Sequence, residues 1–189
     1  MILYIHGFGG SGLGSKAGEF RKFFDSIGVD YLSPSLSFTP TLAIDTLTQL
    51  VEYLLKKDEN ISLIGSSLGG YYSIYLSQKY DLKTVLINPS IYPYKTLERS
   101  VSDGGINFFD CSKFEWSETH LSMLKYFEIN TPIKQSNFLT LLKKGDDLLD
   151  YREADSIFTN TIIDEGGDHG YSDIADKFEV INEFLGYKK

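Results

Sequence analysis

The chain is poor in cysteine, histidine and positive charge, and each shortage removes a class of function. Cys111 is the only cysteine in 189 residues, so no intramolecular disulfide can form and nothing points to an oxidising compartment. Lysine and arginine number 18 against 26 aspartates and glutamates, a formal charge of −8. That balance argues against nucleic acid or a membrane surface as partner, because both are held by basic patches. No apolar run approaches the roughly 20 residues of a membrane span, and Met1 leads into an apolar stretch without a charged leader. A cytoplasmic protein is the expectation. Internal repeats and low-complexity tracts are absent as well. What is present, 42% apolar and 23% charged residues, is ordinary for a globular domain of this length, with one core.

Apolar runs and helical stripes alternate along the chain. Ile2 to Ile5 form a short apolar run stopped by His6-Gly7, which suits a buried strand. Ala17, Phe20, Phe24 and Ile27 then recur at helical spacing before Gly28. Val29 to Leu32 read as a second strand. Thr39-Pro40 place an N-cap and a first-turn proline ahead of Ala43, Leu47, Leu50, Val51 and Leu54. Ile61 to Ile64 predict a third strand, Tyr71 to Leu76 a helix and Val85 to Ile87 a fourth strand. Phe138 to Leu142 and Phe158 to Ile163 follow as strands, separated by a helix from about Asp150 to Ile157. Ile174, Phe178, Ile181 and Leu185 mark a last helix. This β-α-β order predicts an α/β protein, a mostly parallel sheet of about six strands with helices on both faces.

One interval breaks the rhythm. Residues of about 90–136 contain no clear strand but carry Tyr92, Tyr94, Phe108, Phe109, Phe114, Trp116, Tyr126 and Phe127. Loops of that length are uncommon unless they form lids or binding loops, so a small helical cap inserted in a single domain is expected. Its aromatics either pack it onto the sheet or line a pocket.

The opening GFGGSG, residues 7–12, reads G-x-G-x-x-G after a strand, the pattern of a dinucleotide loop. That reading needs an acidic residue at the end of the next strand. Asp30 lies at the wrong end, ahead of Tyr31 and Leu32. A phosphate loop ending in G-K-[ST] fails too, because the chain has Gly14-Ser15-Lys16.

Gly65-Ser66-Ser67-Leu68-Gly69 supplies another use for them. It is G-x-S-x-G between a predicted strand and a predicted helix, where a serine on a strained turn projects its hydroxyl and its neighbours must be small. Only Ser67 has glycines at the required spacing. A serine hydroxyl needs a base, and the base an orienting carboxylate. Of three histidines, His6 ends the first strand, His120 lies in the cap, and His169 follows the last strand in GGDHGY. The order Ser, acid, His selects His169. The acid is Asp146, directly after Gly145 at a strand end, with Asp147 and Asp150 as alternatives, the latter better placed as a helix N-cap. Acyl transfer also needs two N–H donors for the oxyanion, worth about 3–4 kcal/mol each. Leu68 N–H supplies one, and Phe8 N–H, in the loop after the first strand, the other. The early glycines then serve an oxyanion, with His6 supporting their loop by hydrogen bonds.

LYIHGF, IGSSLGGYY, INPS, GDDLLDYREA and EGGDHGY, in that order, resemble the YqiA-like (UPF0227-type) small bacterial esterases of the α/β-hydrolase superfamily, from Leu3 to Leu185. The resemblance implies a compact α/β-hydrolase that cleaves carboxylic esters or thioesters with Ser67, Asp146 and His169, without metal or organic cofactor. The chain departs from the family at Gly9-Gly10 and Gly12-Leu13-Gly14, where asparagine, serine and proline are expected, and in the cap. An aromatic cap favours an apolar acyl group. Lys143 and Lys144, near the acid's strand, are where an anionic substrate such as an acyl-CoA would be met, although paired lysines are ordinarily solvated surface. The expectation is a serine esterase or thioesterase acting on a small-molecule substrate; the alternative is a non-catalytic binding protein on the same scaffold.

Overall fold

A computed structural model describes residues 1–57 and 59–187. In chain order its elements are β1 (Ile2–Ile5), α1 (Ser15–Ser26), β2 (Tyr31–Leu32), α2 (Pro40–Leu55), β3 (Ser62–Ser66), α3 (Leu68–Tyr80) and β4 (Thr84–Ile87). There follow α4 (Pro93–Thr96), β5 (Gly105–Ile106), β6 (Lys113–Phe114), α5 (Glu118–Lys125), β7 (Phe138–Lys143), α6 (Tyr151–Asp155), β8 (Thr161–Asp164) and α7 (Phe178–Leu185). Six strands form one sheet in the order β2-β1-β3-β4-β7-β8, every neighbouring pair parallel.

Side chains of a strand alternate between faces, and the two faces are sealed separately. Ile2 and Tyr4 of β1 join Ile64, Val85 and Leu139 beneath Phe20 and Phe24 of α1 and Ile181 and Leu185 of α7. Leu3 and Ile5 point the other way, with Leu63, against Leu47 and Val51 of α2 and Leu76 of α3. A sheet covered on both faces reads as continuous apolar runs, as β1, β4 and β7 do. The chain crosses from β1 to one edge at β2 and then returns to β3 on the other side of β1. The loops that leave β1 and β3 therefore diverge at their C-terminal ends, the place where open parallel sheets bind ligands.

The differences from the sequence expectation are local. β2 covers only Tyr31–Leu32, so Val29 stands outside it. β8 begins at Thr161, because Phe158 is buried against Phe138, ring centroids 5.1 Å apart, instead of extending the strand. Thr39 occupies the N-cap position of α2 without a side-chain capping bond. Between β4 and β7 the chain is helical in α4 and α5, but it also contains an antiparallel ribbon, β5 with β6, where no strand was expected.

Candidate active site

Ser67 joins β3 to α3 with φ 56° and ψ −121°, a backbone conformation that L-residues adopt at a cost of roughly 1–3 kcal/mol. The turn is this sharp because strand and helix nearly touch. A Cβ on Gly69 would lie 2.0 Å from the Ile5 carbonyl oxygen, and one on Gly65 would lie 2.4 Å from that of Gly69. Those two contacts are the physical content of the G-x-S-x-G spacing.

The structure brings Ser67, His169 and Asp146 together from three different loops. Ser67 Oγ–H donates to His169 Nε2 at 2.9 Å, and His169 Nδ1–H donates to Asp146 Oδ2 at 2.8 Å. The Asp146 side chain is 2% exposed. Its other oxygen accepts from the N–H groups of Leu148 and Leu149, both at 2.9 Å. Burial would raise the Asp146 pKa, but the hydrogen bond and charge of His169 and these two N–H donors outweigh it, and the carboxyl lies below its ordinary value. Asp147 is exposed, and Asp150 caps α6 by accepting from Arg152 N–H at 3.0 Å.

His6 does not approach this chain as a proton acceptor. Leu36 N–H donates to its Nε2 at 3.0 Å, which leaves the proton on Nδ1, donating to the Gly7 carbonyl at 2.9 Å. Burial lowers its pKa, so it stays neutral. The Gly7 carbonyl also accepts from Gly10 N–H at 3.0 Å. A trans peptide is planar, so pinning that carbonyl aims the Phe8 N–H in the opposite direction. A Cβ on Gly7 would lie 3.5 Å from Ser67 Oγ, and among the described residues neither Phe8 N–H nor Leu68 N–H is spent on a protein acceptor. His120 is likewise local: its Nδ1 accepts from Ser117 N–H at the start of α5.

One residue that carries the site was not singled out from sequence, and another was singled out for a different role. Asn88, just after β4, donates from Nδ2 to the carbonyls of Asp168 and His169, at 3.2 and 3.1 Å, and its Oδ1 accepts from Lys143 N–H at 2.9 Å. It ties the His169 loop to β7. Its φ of 39° is tolerated by asparagine more readily than by most residues, and an asparagine preceding Pro89 after a buried strand was the only sequence signal. Lys143, 3% exposed, bonds Asp173 at 2.6 Å and Asp164 at 3.1 Å. Asp164 also receives Lys177 Nζ and Tyr171 O–H, at 2.8 and 2.7 Å. This ion cluster holds down the segment after His169. It also corrects the expectation that Lys143 and Lys144 meet an anionic substrate: Lys143 is saturated by carboxylates, and Lys144 is paired with Glu165. Among the described residues, no three His, Cys, Asp or Glu side chains are grouped as metal ligands would be.

Two cavities meet at Ser67 and His169. One, about 490 Å³, runs along the β1–α1 loop between Tyr4, Ser11, Lys16 and Ser66. The other, about 320 Å³, lies under the 88–137 segment among Leu97, Ile106, Leu148 and Leu149, with exposed Arg99 also on its wall. Phe8 and Phe108 line both. The aromatics of that segment divide accordingly. Trp116 is buried against Phe8, ring centroids 4.8 Å apart, and Phe127 packs on Tyr75 at 5.1 Å. Phe108 and Phe109 are 75% and 62% exposed and rim the larger cavity. No helix among the described residues is long and apolar enough to cross a membrane.

Comparison with known proteins agrees with this architecture. The chain is similar to the mouse α/β-hydrolase domain-containing protein 10, with a TM-score of 0.72 at 15% identity over 98% of this chain and 89% of that one. It is similar also to the Pyrococcus furiosus esterase Pf2001, with a TM-score of 0.67 at 20% identity over 98% and 81%. At these identities the likeness shows the fold, that of the α/β-hydrolases. By sequence it is 24% identical to the UPF0227 protein YcfP of Salmonella typhimurium, over 97% of this chain and 98% of that protein. The family model described as uncharacterised protein family UPF0227 matches residues 1–186, so the chain belongs to that family.

Proposed function

We propose that the protein is a serine hydrolase that cleaves small-molecule carboxylic esters or acyl thioesters through an acyl-serine intermediate. The observation that carries this reading is the chain Asp146–His169–Ser67, hydrogen-bonded throughout and ending on a serine at a strained strand-to-helix turn. Ser67 Oγ attacks the acyl carbonyl carbon while His169 Nε2 takes its proton, and the carbonyl electron pair moves onto oxygen. Phe8 and Leu68 N–H groups receive that oxyanion. As the tetrahedral species collapses, the bond to the leaving oxygen or sulfur breaks and His169 returns the proton to it. Water, deprotonated by the same imidazole, then releases the acid and regenerates Ser67. Asp146 keeps the proton on Nδ1 and stabilises the imidazolium. The segment around 90–136 acts as a cap whose apolar cavity receives one arm of the substrate. The lone, exposed Cys111 supports a cytoplasmic setting, where thiols stay reduced.

Intact-mass measurement after treatment with an uncharged alkyl fluorophosphonate tests the mechanism. One adduct on the wild type and none on Ser67→Ala is expected, together with a loss of at least about 10⁴-fold in kcat for ester hydrolysis. Folded wild-type protein that takes no adduct would sink the mechanism.

A further inference from the structure

The sequence sets aside Gly14-Ser15-Lys16 as a failed phosphate loop, and the hydrolytic steps make no use of Lys16. In the structure Lys16 stands at the start of α1 and lines the same cavity as Ser67 and His169. Its Nζ donates to Ser66 Oγ at 2.9 Å. Among the described residues it has no carboxylate within ion-pair distance, unlike Lys143 on the other side of the site. An ammonium carries three donors, and here only one has a partner.

The surroundings favour an anion. Burial brings the Lys16 pKa down to about 8, with the charges of Asp168, Glu19 and Asp146 acting in the opposite sense, so the side chain is cationic at neutral pH. The first turn of α1 holds no acidic residue, and Gly14 at its N-cap has no side chain with which to cap it. The free N–H groups of that turn, which point out of the helix start, add positive potential to the wall formed by Gly14, Ser15 and Ala17. A partly desolvated cation with no carboxylate in direct contact is costly, and such groups cluster where a ligand completes them. On the far side of Ser67, the cavity under the 88–137 segment is mainly apolar, with Arg99 exposed on its wall.

We propose that the β1–α1 cavity is a subsite for an anionic group of the substrate, a carboxylate or phosphate held by Lys16, so that the ester cleaved carries an anion on one arm and an apolar group on the other. The proposal rests on the hydrolase reading above and narrows its substrate class.

Two matched substrate sets test it. For charge on the acyl arm, 4-nitrophenyl pentanoate is compared with the mono-4-nitrophenyl ester of glutaric acid. For charge on the leaving arm, the butyrate esters of 4-hydroxybenzamide, 4-hydroxybenzoate and 4-hydroxyphenyl phosphate are compared. Intrinsic reactivity cancels when each kcat/KM is expressed as the ratio of wild type to Lys16→Met. That ratio should be roughly 10- to 100-fold larger for the charged member of one set than for its neutral partner, and the set and member that respond identify the arm and the anion. Lys16→Arg should recover part of the difference, which a merely structural role would not produce. Equal ratios for charged and neutral members in both sets would overturn the subsite. If the fluorophosphonate still labels Ser67 in that case, the hydrolase reading stands without the subsite; if it does not label wild type, both fail.

Discussion

Lys143, buried, and Lys16, half-buried, lie on opposite sides of the same serine, and the fold treats them in opposite ways. On the β7–β8 side Lys143 sits between Asp164 and Asp173 and over the Tyr171 ring, 4.4 Å from its centroid. Burial would lower its pKa, but those carboxylates hold it above the ordinary value. On the β1–α1 side Lys16 has a single hydroxyl. The first region is closed: each charge is met by another, and the loop carrying His169 is fixed between the ion cluster and Asn88. The second is open, with a cation, a helix start and a cavity. Charge saturation therefore separates the part of the site that holds its groups still from the part left to receive something.

The largest effect expected from breaking the closed side is on turnover. Asp146→Asn keeps an acceptor for Leu148 and Leu149 N–H but no longer favours the proton on His169 Nδ1, and kcat should fall about 10³- to 10⁴-fold with little change in KM. Steady-state kinetics checks this. Next in size is a contrast in stability. Lys143→Met should cost about 3 kcal/mol in urea unfolding, because Asp164 and Asp173 lose their central partner. Lys16→Met should cost less than about 1 kcal/mol, because it removes a half-buried charge that has no ion-pair partner. Similar losses in the two variants would erase the distinction between closed and open sides.

The smallest effect is with pH. Burial would raise the Asp164 pKa, but the hydrogen bonds from Lys177, Tyr171 and Lys143 overcome this and bring it to about 2. A carboxyl depressed in the folded state contributes stability that is complete above its unfolded value near 4 and is lost as pH falls towards 2. That contribution is about 2 kcal/mol. Unfolding free energies from urea titrations at pH 6 and pH 2.5 should diverge less in Asp164→Asn than in the wild type, by most of this amount.

The regular elements were legible because apolar runs and helical stripes are properties of neighbouring residues. β1, β3, β4 and β7 could be located by their apolar runs and the long helices by period, and Ser67, Asp146 and His169 were candidates because a serine hydroxyl needs a base and an orienting acid, chosen by the order Ser, acid, His. β5 and β6 escaped because two-residue strands have no measurable alternation. Phe158 was assigned to a strand because an aromatic beside β-branched residues reads as one, whereas its burial against Phe138 ends the run. Asn88 was passed over because its role consists of bonds to residues 55, 80 and 81 positions away, and nothing local announces them.

The sequence by itself determined the parallel α/β framework, the strained serine turn and the chemical types available at the strand ends, since these follow from spacing and side-chain chemistry within short windows. Tertiary structure alone decided which lysine is neutralised. Lys143 and Lys144 stand beside acid-rich loops in the chain and Lys16 beside glycines, but pairing depends on which loops the sheet order brings within hydrogen-bond reach. Placing β8 next to β7 closes Asp164 onto Lys143. Reversing the winding at β1 leaves Lys16 facing the cavity beside Ser67, because Coulomb partners are chosen by distance in space and not along the chain.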